Sequence, residues 1–125
     1  MTKILFVDDK DLNRITAKAM LMHLCEEYLI VGSAMEAIES MQSFEPDIIL
    51  MDISMPEIDG LEGARRIRNL RLAKRPFIVG VSGFIDEMTQ GAAREVGMDA
   101  FLEKPFTRQE LIATLGKCEG FAVSA

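Results

Sequence analysis

At 125 residues the chain is long enough to bury a core without staples and too short for a second, separate output domain. Apolar residues make up 49% and charged residues 27%, ordinary globular usage that argues against disorder. Twenty acidic against 14 basic side chains give a net charge of -6, which disfavours nucleic-acid binding by overall charge.

Five short apolar runs recur, each followed by a stretch with helical spacing. Residues 4–7 come first. Leu12, Ile15, Ala19 and Met22 then mark one helical stripe. Ala17, Met20, Leu21 and Leu24 add a second, and this excess of apolar surface predicts a face on which a partner helix docks. Residues 28–31 form the next run, followed by Ala34, Ile38, Met41 and Phe44 at helical spacing. Residues 48–51 precede Leu61, Ala64, Ile67 and Leu70. Residues 77–81 precede the weakest helix, 86–96, which carries Gly91 in its interior. Residues 100–102 lead to Thr107 and Glu110, which have capping-box spacing ahead of Leu111, Ile112 and Leu115. Continuous rather than alternating apolar runs are how strands buried on both faces of a parallel sheet read. The alternation predicts a (βα)5 doubly wound α/β fold, one domain over 1–125 with its core at about 3–118 and a tail from 119 that frays from Gly120.

Cys25 and Cys118 have no CxxC spacing and sit in apolar helical patterns, so they read as reduced packing residues of a cytoplasmic protein. The one histidine, His23, cannot build a His-rich metal site and reads as a surface residue. No run approaches the roughly 18 apolar residues of a membrane span. Met1-Thr2-Lys3 has no signal-peptide shape.

In an open α/β sheet, ligands bind beyond the carboxyl ends of the strands, where strand order reverses. Asp8 and Asp9 follow the first run, Asp52 the third, Ser82 and Gly83 the fourth, Lys104 and Pro105 the fifth. Three carboxylates at one edge repel one another, which raises at least one pKa. A hard divalent cation relieves this: Mg²⁺ takes one or two carboxylates plus water and phosphate oxygens, with Mn²⁺ an alternative. Asp8, Asp9 and Asp52 therefore read as a metal site. Lys104 supplies an ammonium on a flexible stem, Ser82 a hydroxyl, and Gly83 a close-approaching backbone N–H. These are the parts that stabilise a transferring phosphoryl group. Asp52 follows the central strand and is the candidate nucleophile for an aspartyl phosphate.

Four segments together resemble the receiver domain of two-component response regulators, the CheY-like fold. They are Ile4-Leu5-Phe6-Val7-Asp8-Asp9, Asp52-Ile53-Ser54-Met55-Pro56-Glu57-Ile58-Asp59-Gly60, Val81-Ser82-Gly83 and Lys104-Pro105-Phe106. The resemblance covers about residues 3–118. It implies strand order 2-1-3-4-5 and an Asp52 that takes a phosphoryl group from a phosphohistidine of a histidine kinase or phosphotransfer protein. It implies Mg²⁺ held by Asp9, Asp52, the backbone carbonyl of Ser54 and, partly through water, Asp8. Ser82, Gly83 and Lys104 would bind phosphoryl oxygens. Ser82 would move inward on phosphorylation, with Phe101 turning to fill the space, and the Lys104–Pro105 bond would be cis. Two positions depart from the commonest pattern: Ser82 stands where threonine is frequent, and Phe101, where tyrosine is also common, cannot donate a hydrogen bond. Phe84 is expected to shield the acyl phosphate from water, with Ser54 flanking the same path. A monomer or a phosphorylation-dependent homodimer is expected, with no nucleic acid and no membrane insertion. The start at Met1 favours a stand-alone regulator or phosphorelay intermediate over an internal fragment.

Taken singly, the motifs have plainer readings. Asp8-Asp9 is also a strand-end turn or helix cap. Asp59-Gly60 reads as the turn into the third helix. Arg65, Arg66, Arg68, Arg71, Lys74 and Arg75 read first as a solvated helix face and second as a patch for an acidic partner. A competing enzyme reading is a phosphohydrolase of the haloacid dehalogenase type, in which Asp9-Lys10-Asp11 resembles the DxD motif and Asp9 and Asp11 carry the chemistry. It lacks an acidic pair after Lys104 and leaves Asp52 without a role. A nucleotide or flavin binder would need GxGxxG or GxxxxGK[ST], and neither is present.

Overall fold

The computed structural model describes residues 2–122. The elements are β1 (Lys3–Val7), α1 (Asp11–Leu21), β2 (Glu27–Val31), α2 (Ala34–Phe44), β3 (Ile48–Asp52), α3 (Gly60–Arg68), β4 (Phe77–Ser82), α4 (Glu87–Glu95), β5 (Ala100–Glu103) and α5 (Arg108–Leu115). The strands form one parallel sheet in the order β2-β1-β3-β4-β5. The order reverses between β1 and β3, so the loops leaving their carboxyl ends diverge and leave a crevice there.

Alternate strand residues face opposite layers. Ile4 and Phe6 of β1, with Ile48, Leu50, Val79 and Leu102, pack under α1 and α5. Leu5 and Val7, with Ile49, Met51 and Ile78, pack under α2, α3 and α4. Each fully buried Leu or Ile side chain contributes about 1.5–3 kcal/mol, so the two layers hold the sheet rigidly beneath its loops. The side chains of Ser33, Asp59, Asp86 and Thr107 cap α2 to α5, and Thr107 with Glu110 forms the expected capping box. Gly91 does not break α4; nothing lies within 4 Å of where its Cβ would be.

Three local readings change. β2 is an edge strand, with no residue fully buried, although its sequence is a continuous apolar run. The stripes of α1 exchange roles: Ala17, Leu21 and, just beyond the helix, Leu24 enter the core, whereas Leu12 is 74% exposed, Ile15 67% and Met22 54%. Of the tail expected to fray from Gly120, Phe121 packs against the α1/α5 layer; residues 123–125 lie outside the described residues.

The amino-end edge of the sheet absorbs half of the basic run, Arg68, Lys74 and Arg75. Asp99 binds Arg68, Arg75 and the Ile78 N–H, while Asp47 binds Lys74 and the Lys3 N–H. Arg65 and Arg66 both pair with Glu62, whose carboxyl they pull down to about 2. The solvated-face reading therefore fits better than a free basic patch. Cys25 is a buried free thiol pushed up to about 11 by desolvation, and Cys118 is a half-buried one. His23 is exposed. Among the described residues no helix is long and apolar enough to cross a membrane.

Candidate functional site

The carboxyl end of β1 delivers two carboxylates to the crevice, and those of β3, β4 and β5 one functional side chain each. Asp8 is fully buried just after β1, and Asp52 ends β3 at 3% exposure. Asp8, Asp9 and Asp52 each offer an oxygen within 4.8 Å of the others'. The Lys104 ammonium spans two of them, donating to Asp8 Oδ2 at 2.9 Å and lying 3.4 Å from Asp52 Oδ2. The Lys104–Pro105 peptide bond is cis, and the Lys104 N–H donates to the Ser82 carbonyl at 2.8 Å, joining the ends of β4 and β5.

Asp8 is fully engaged. Its Oδ1 accepts from the Lys10 N–H at 2.9 Å, which is the turn reading of this pair. Its Oδ2 accepts from Asn13 Nδ2 at 3.0 Å as well as from Lys104. Arg14 donates to the Asp8 carbonyl at 2.8 Å. Asp9 differs: its Oδ1 is buried and has no partner among the described residues. A desolvated carboxylate oxygen without a donor is expensive unless a cation takes it. The donor set is all oxygen, suiting a hard divalent ion.

Electrostatics agree with crowding. Burial pushes the Asp52 carboxyl above its ordinary value; Lys104 opposes this and the Asp8 charge adds to it. For Lys104, burial alone would lower the ammonium, but the Asp8 hydrogen bond and the charges of Asp52 and Asp8 outweigh it and raise the value. One ammonium, paired with Asp8 and Asp52 alone, faces three carboxylates, so the pocket holds excess negative charge.

Ser82 is buried at the end of β4, its hydroxyl donating to the Phe84 carbonyl at 3.0 Å while the Phe84 N–H approaches it at 3.3 Å. The Phe84 ring is 70% exposed and Ser54 is exposed, its N–H donating to Asp52 Oδ1 at 3.2 Å. A Cβ at Gly83 would meet nothing within 4 Å, so crowding does not require glycine there. Gly60 is different: a Cβ would lie 2.1 Å from the Asp52 carbonyl oxygen. Its place in the site, and those of Asn13 and Arg14, escaped the sequence reading. Asn13 gave one faint signal, a polar first-turn residue beside an apolar stripe. Phe101 is half-buried on β5, with the Arg94 guanidinium carbon 5.3 Å from its ring centroid.

Asp11 does not join the pocket. Its side chain is exposed on α1 and pairs with Arg14. The dehalogenase-type DxD reading thus loses its second carboxylate.

Residues 4–116 match the family described as response regulator receiver domain. The chain is a response regulator receiver domain. The receiver is 34% identical over 116 residues to the transcriptional regulatory protein PdtaR of Mycobacterium tuberculosis, covering 90% of this chain and 54% of that protein. The chain thus spans about half the length of this curated relative. Among solved structures, chemotaxis protein CheY4 of Vibrio cholerae superposes with a TM-score of 0.89 at 26% identity, covering 94% of this chain and 98% of that one. The receiver domain of sensor histidine kinase PA1611 from Pseudomonas aeruginosa, solved with a magnesium ion coordinated in its active site cleft, gives a TM-score of 0.84 at 30% identity, covering 94% and 96%. The receiver family and the buried Asp52 leave no support for the phosphohydrolase.

Proposed function

We propose that this receiver accepts a phosphoryl group on Asp52 from a phosphohistidine and converts that event into a change of protein-binding surface. The observation that carries the reading is the single Lys104 ammonium spanning Asp8 and Asp52 beside the unpartnered Asp9 oxygen. Asp52 attacks the phosphorus; the new O–P bond forms as the P–N bond breaks, and its electron pair goes to the leaving imidazole nitrogen. Lys104 and the Ser82 hydroxyl hold the phosphoryl oxygens, with the Gly83 N–H nearby. Asp9, Asp52, the Ser54 carbonyl and, through water, Asp8 would hold Mg²⁺, or Mn²⁺ in its place. The ion supplies charge neutralisation for the incoming phosphoryl group.

To reach the phosphoryl group, the Ser82 hydroxyl leaves the Phe84 carbonyl, and Phe101 turns into the space. The Phe84 ring, now exposed, folds over the acyl phosphate and slows its hydrolysis, with Ser54 on the flank. The donor is a histidine kinase or a phosphotransfer protein. The exposed Leu12, Ile15 and Met22 stripe supports docking of the donor's helix. Beside it a cleft of about 380 Å³, lined by Leu12, Thr16, Met20, Pro105 and Phe106, opens at Asp8 and Lys104. The receiver works in the cytoplasm, as a monomer or as a phosphorylation-dependent homodimer.

The test is covalent labelling. Wild-type protein with acetyl phosphate and Mg²⁺ gains one phosphoryl group by intact mass, and Asp52→Asn gains none. Labelling that survives Asp52→Asn and disappears in Asp9→Asn would sink the reading.

A further inference from the structure

Among the described residues Asp8 is the member of the acid pocket whose carboxylate collects the most donors from the chain, three against two for Asp52. The three are the Lys10 N–H on Oδ1, and Asn13 Nδ2 at 3.0 Å and Lys104 Nζ at 2.9 Å together on Oδ2. Asp8 is also fully buried, so in the resting pocket its oxygens are served by these donors rather than by bulk water. A buried carboxylate oxygen stripped of its donors is strongly disfavoured. Yet Lys104 is the group that meets the incoming phosphoryl oxygens, and to do so it loosens its hold on Asp8 Oδ2.

We infer that Asn13 is a positioning residue for phosphoryl transfer: it keeps Asp8 Oδ2 solvated from the protein side, so that Lys104 can transfer from Asp8 to the phosphoryl group. The inference rests on the receiver reading of this site and adds a residue to it. Asn13 suits the task in three ways. It lies in the first turn of α1, half-buried, where a short side chain reaches the pocket without bending. It is neutral, so it compensates Asp8 without competing with Lys104 for the charge of Asp52. It also lines the cleft that opens toward the exposed α1 stripe. Its amide therefore stands between the docking face and the acid pocket.

The experiment is a double-mutant cycle on the full chain, read with acetyl phosphate at saturating Mg²⁺. Here the Asp52 oxygen–phosphorus bond forms and the phosphorus–acetate oxygen bond breaks, acetate leaving with the electron pair. Asn13→Ala is expected to slow labelling about fivefold, the scale of one hydrogen bond's net worth. In a Lys104→Ala background the same change is expected to do nothing, because no ammonium has to be released. Mg²⁺ affinity by titration calorimetry is expected to stay the same or tighten in Asn13→Ala, since Asp8 has lost a donor and kept its charge. Asn13→Asp, which adds a carboxylate and removes the donor, should bind Mg²⁺ tighter and label more slowly still.

Equal slowing in both backgrounds would overturn the inference, as would an unchanged rate in Asn13→Ala. So would Mg²⁺ binding that weakens in step with the rate, the mark of a merely loosened pocket. Failure of the wild-type chain to label on Asp52 is a separate result, and it would overturn the receiver reading itself.

Discussion

The two ends of the sheet both gather charge, and they treat it in opposite ways. At the amino end, Asp47 and Asp99 each meet a cationic side chain and a backbone N–H; Asp99 has two arginines. Asp47 is accordingly held below the ordinary carboxylate value: Lys74 and the Lys3 N–H outweigh the burial that would raise it. At the carboxyl end, three carboxylates face one ammonium, Asp52 is raised, and an Asp9 oxygen has no partner. The first arrangement is complete and ties strands together. The second is incomplete, and what it is short of is positive charge. Partly exposed carboxylates with full sets of partners mark the structural edge, and buried carboxylates short of cations mark the working one.

The sharpest way to break the comparison is to leave a cation at the paired edge without its partner. Asp99→Ala takes the carboxylate from Arg68, Arg75 and the Ile78 N–H at once, leaving Arg68 only the Gly97 and Pro76 carbonyls, and is expected to cost about 3 kcal/mol in urea unfolding, the upper part of the range for hydrogen bonds to a charged group. Labelling of Asp52 should continue. A loss of labelling in the folded variant would show that the edges are not independent. Mg²⁺ probes the other edge. At 100 times its Kd it should stabilise the wild-type chain by about 2.7 kcal/mol, as mass action requires. Asp9→Asn should lose most of that gain, and Asp99→Ala should retain it. Equal stabilisation of wild type and Asp9→Asn would place the cation elsewhere.

The carboxyl-end site was legible because each of its charged groups ends a continuous apolar run, and run ends are a one-dimensional property. The strand order followed from the same motifs. Which face of α1 points inward was not legible. Leu12, Ile15, Ala19 and Met22 and the competing set of Ala17, Leu21 and Leu24 both repeat at helical spacing. The choice between them shows only in the packing of α1 on the sheet, where Ala17, Leu21 and Leu24 join Ile4 and Phe6. β2 shows a related limit: an edge strand and a central strand can carry the same apolar run, and it is the strand order 2-1-3-4-5 implied by the motifs, not the run, that puts β2 at the edge. Gly60 looked like a turn glycine, whereas the approach of the Asp52 carbonyl, a tertiary fact, forbids a side chain there. Asn13 carries no charge and belongs to none of the four segments, so only its hydrogen bond to Asp8 reveals it.

A smaller effect tests the crowding itself. Asp52→Asn removes one of the competing charges, and without Mg²⁺ it should stabilise the fold, the direction that the raised Asp52 carboxyl implies. The dependence on pH has a definite sign. Asp52 is raised in the folded state, so its ionised form is the one that folding disfavours. The advantage of Asp52→Asn is therefore full at neutral pH. It shrinks as pH falls through the raised folded value and is gone below the unfolded value. Urea melts of both proteins in chelator across that range measure it. A gap that stays constant, or widens on acidification, would mean that the pocket is not frustrated.

The smallest expected effect lies beside the working edge, at the Arg94–Phe101 contact. Arg94 makes no ion pair among the described residues; its guanidinium lies over the half-buried Phe101 ring at 5.3 Å. An exposed cation–π contact is worth about 0.5–1 kcal/mol. If phosphorylation turns Phe101 inward, the ring leaves Arg94, so this contact favours the resting position. Arg94→Ala should then shift the unphosphorylated protein toward the inward ring by about two- to fivefold, the same energy expressed as a population ratio. Fluorine NMR of a fluorophenylalanine-labelled chain, with the Phe101 signal assigned by Phe101→Leu, reads that ratio directly. Beryllofluoride should drive the wild-type signal the same way. The paired edge supplies the control, since Asp99→Ala should leave the Phe101 signal where it is. If Arg94→Ala also leaves it unmoved, the arginine only covers the ring, and the balance of the switch is set by Ser82 and its bond to Phe84 instead.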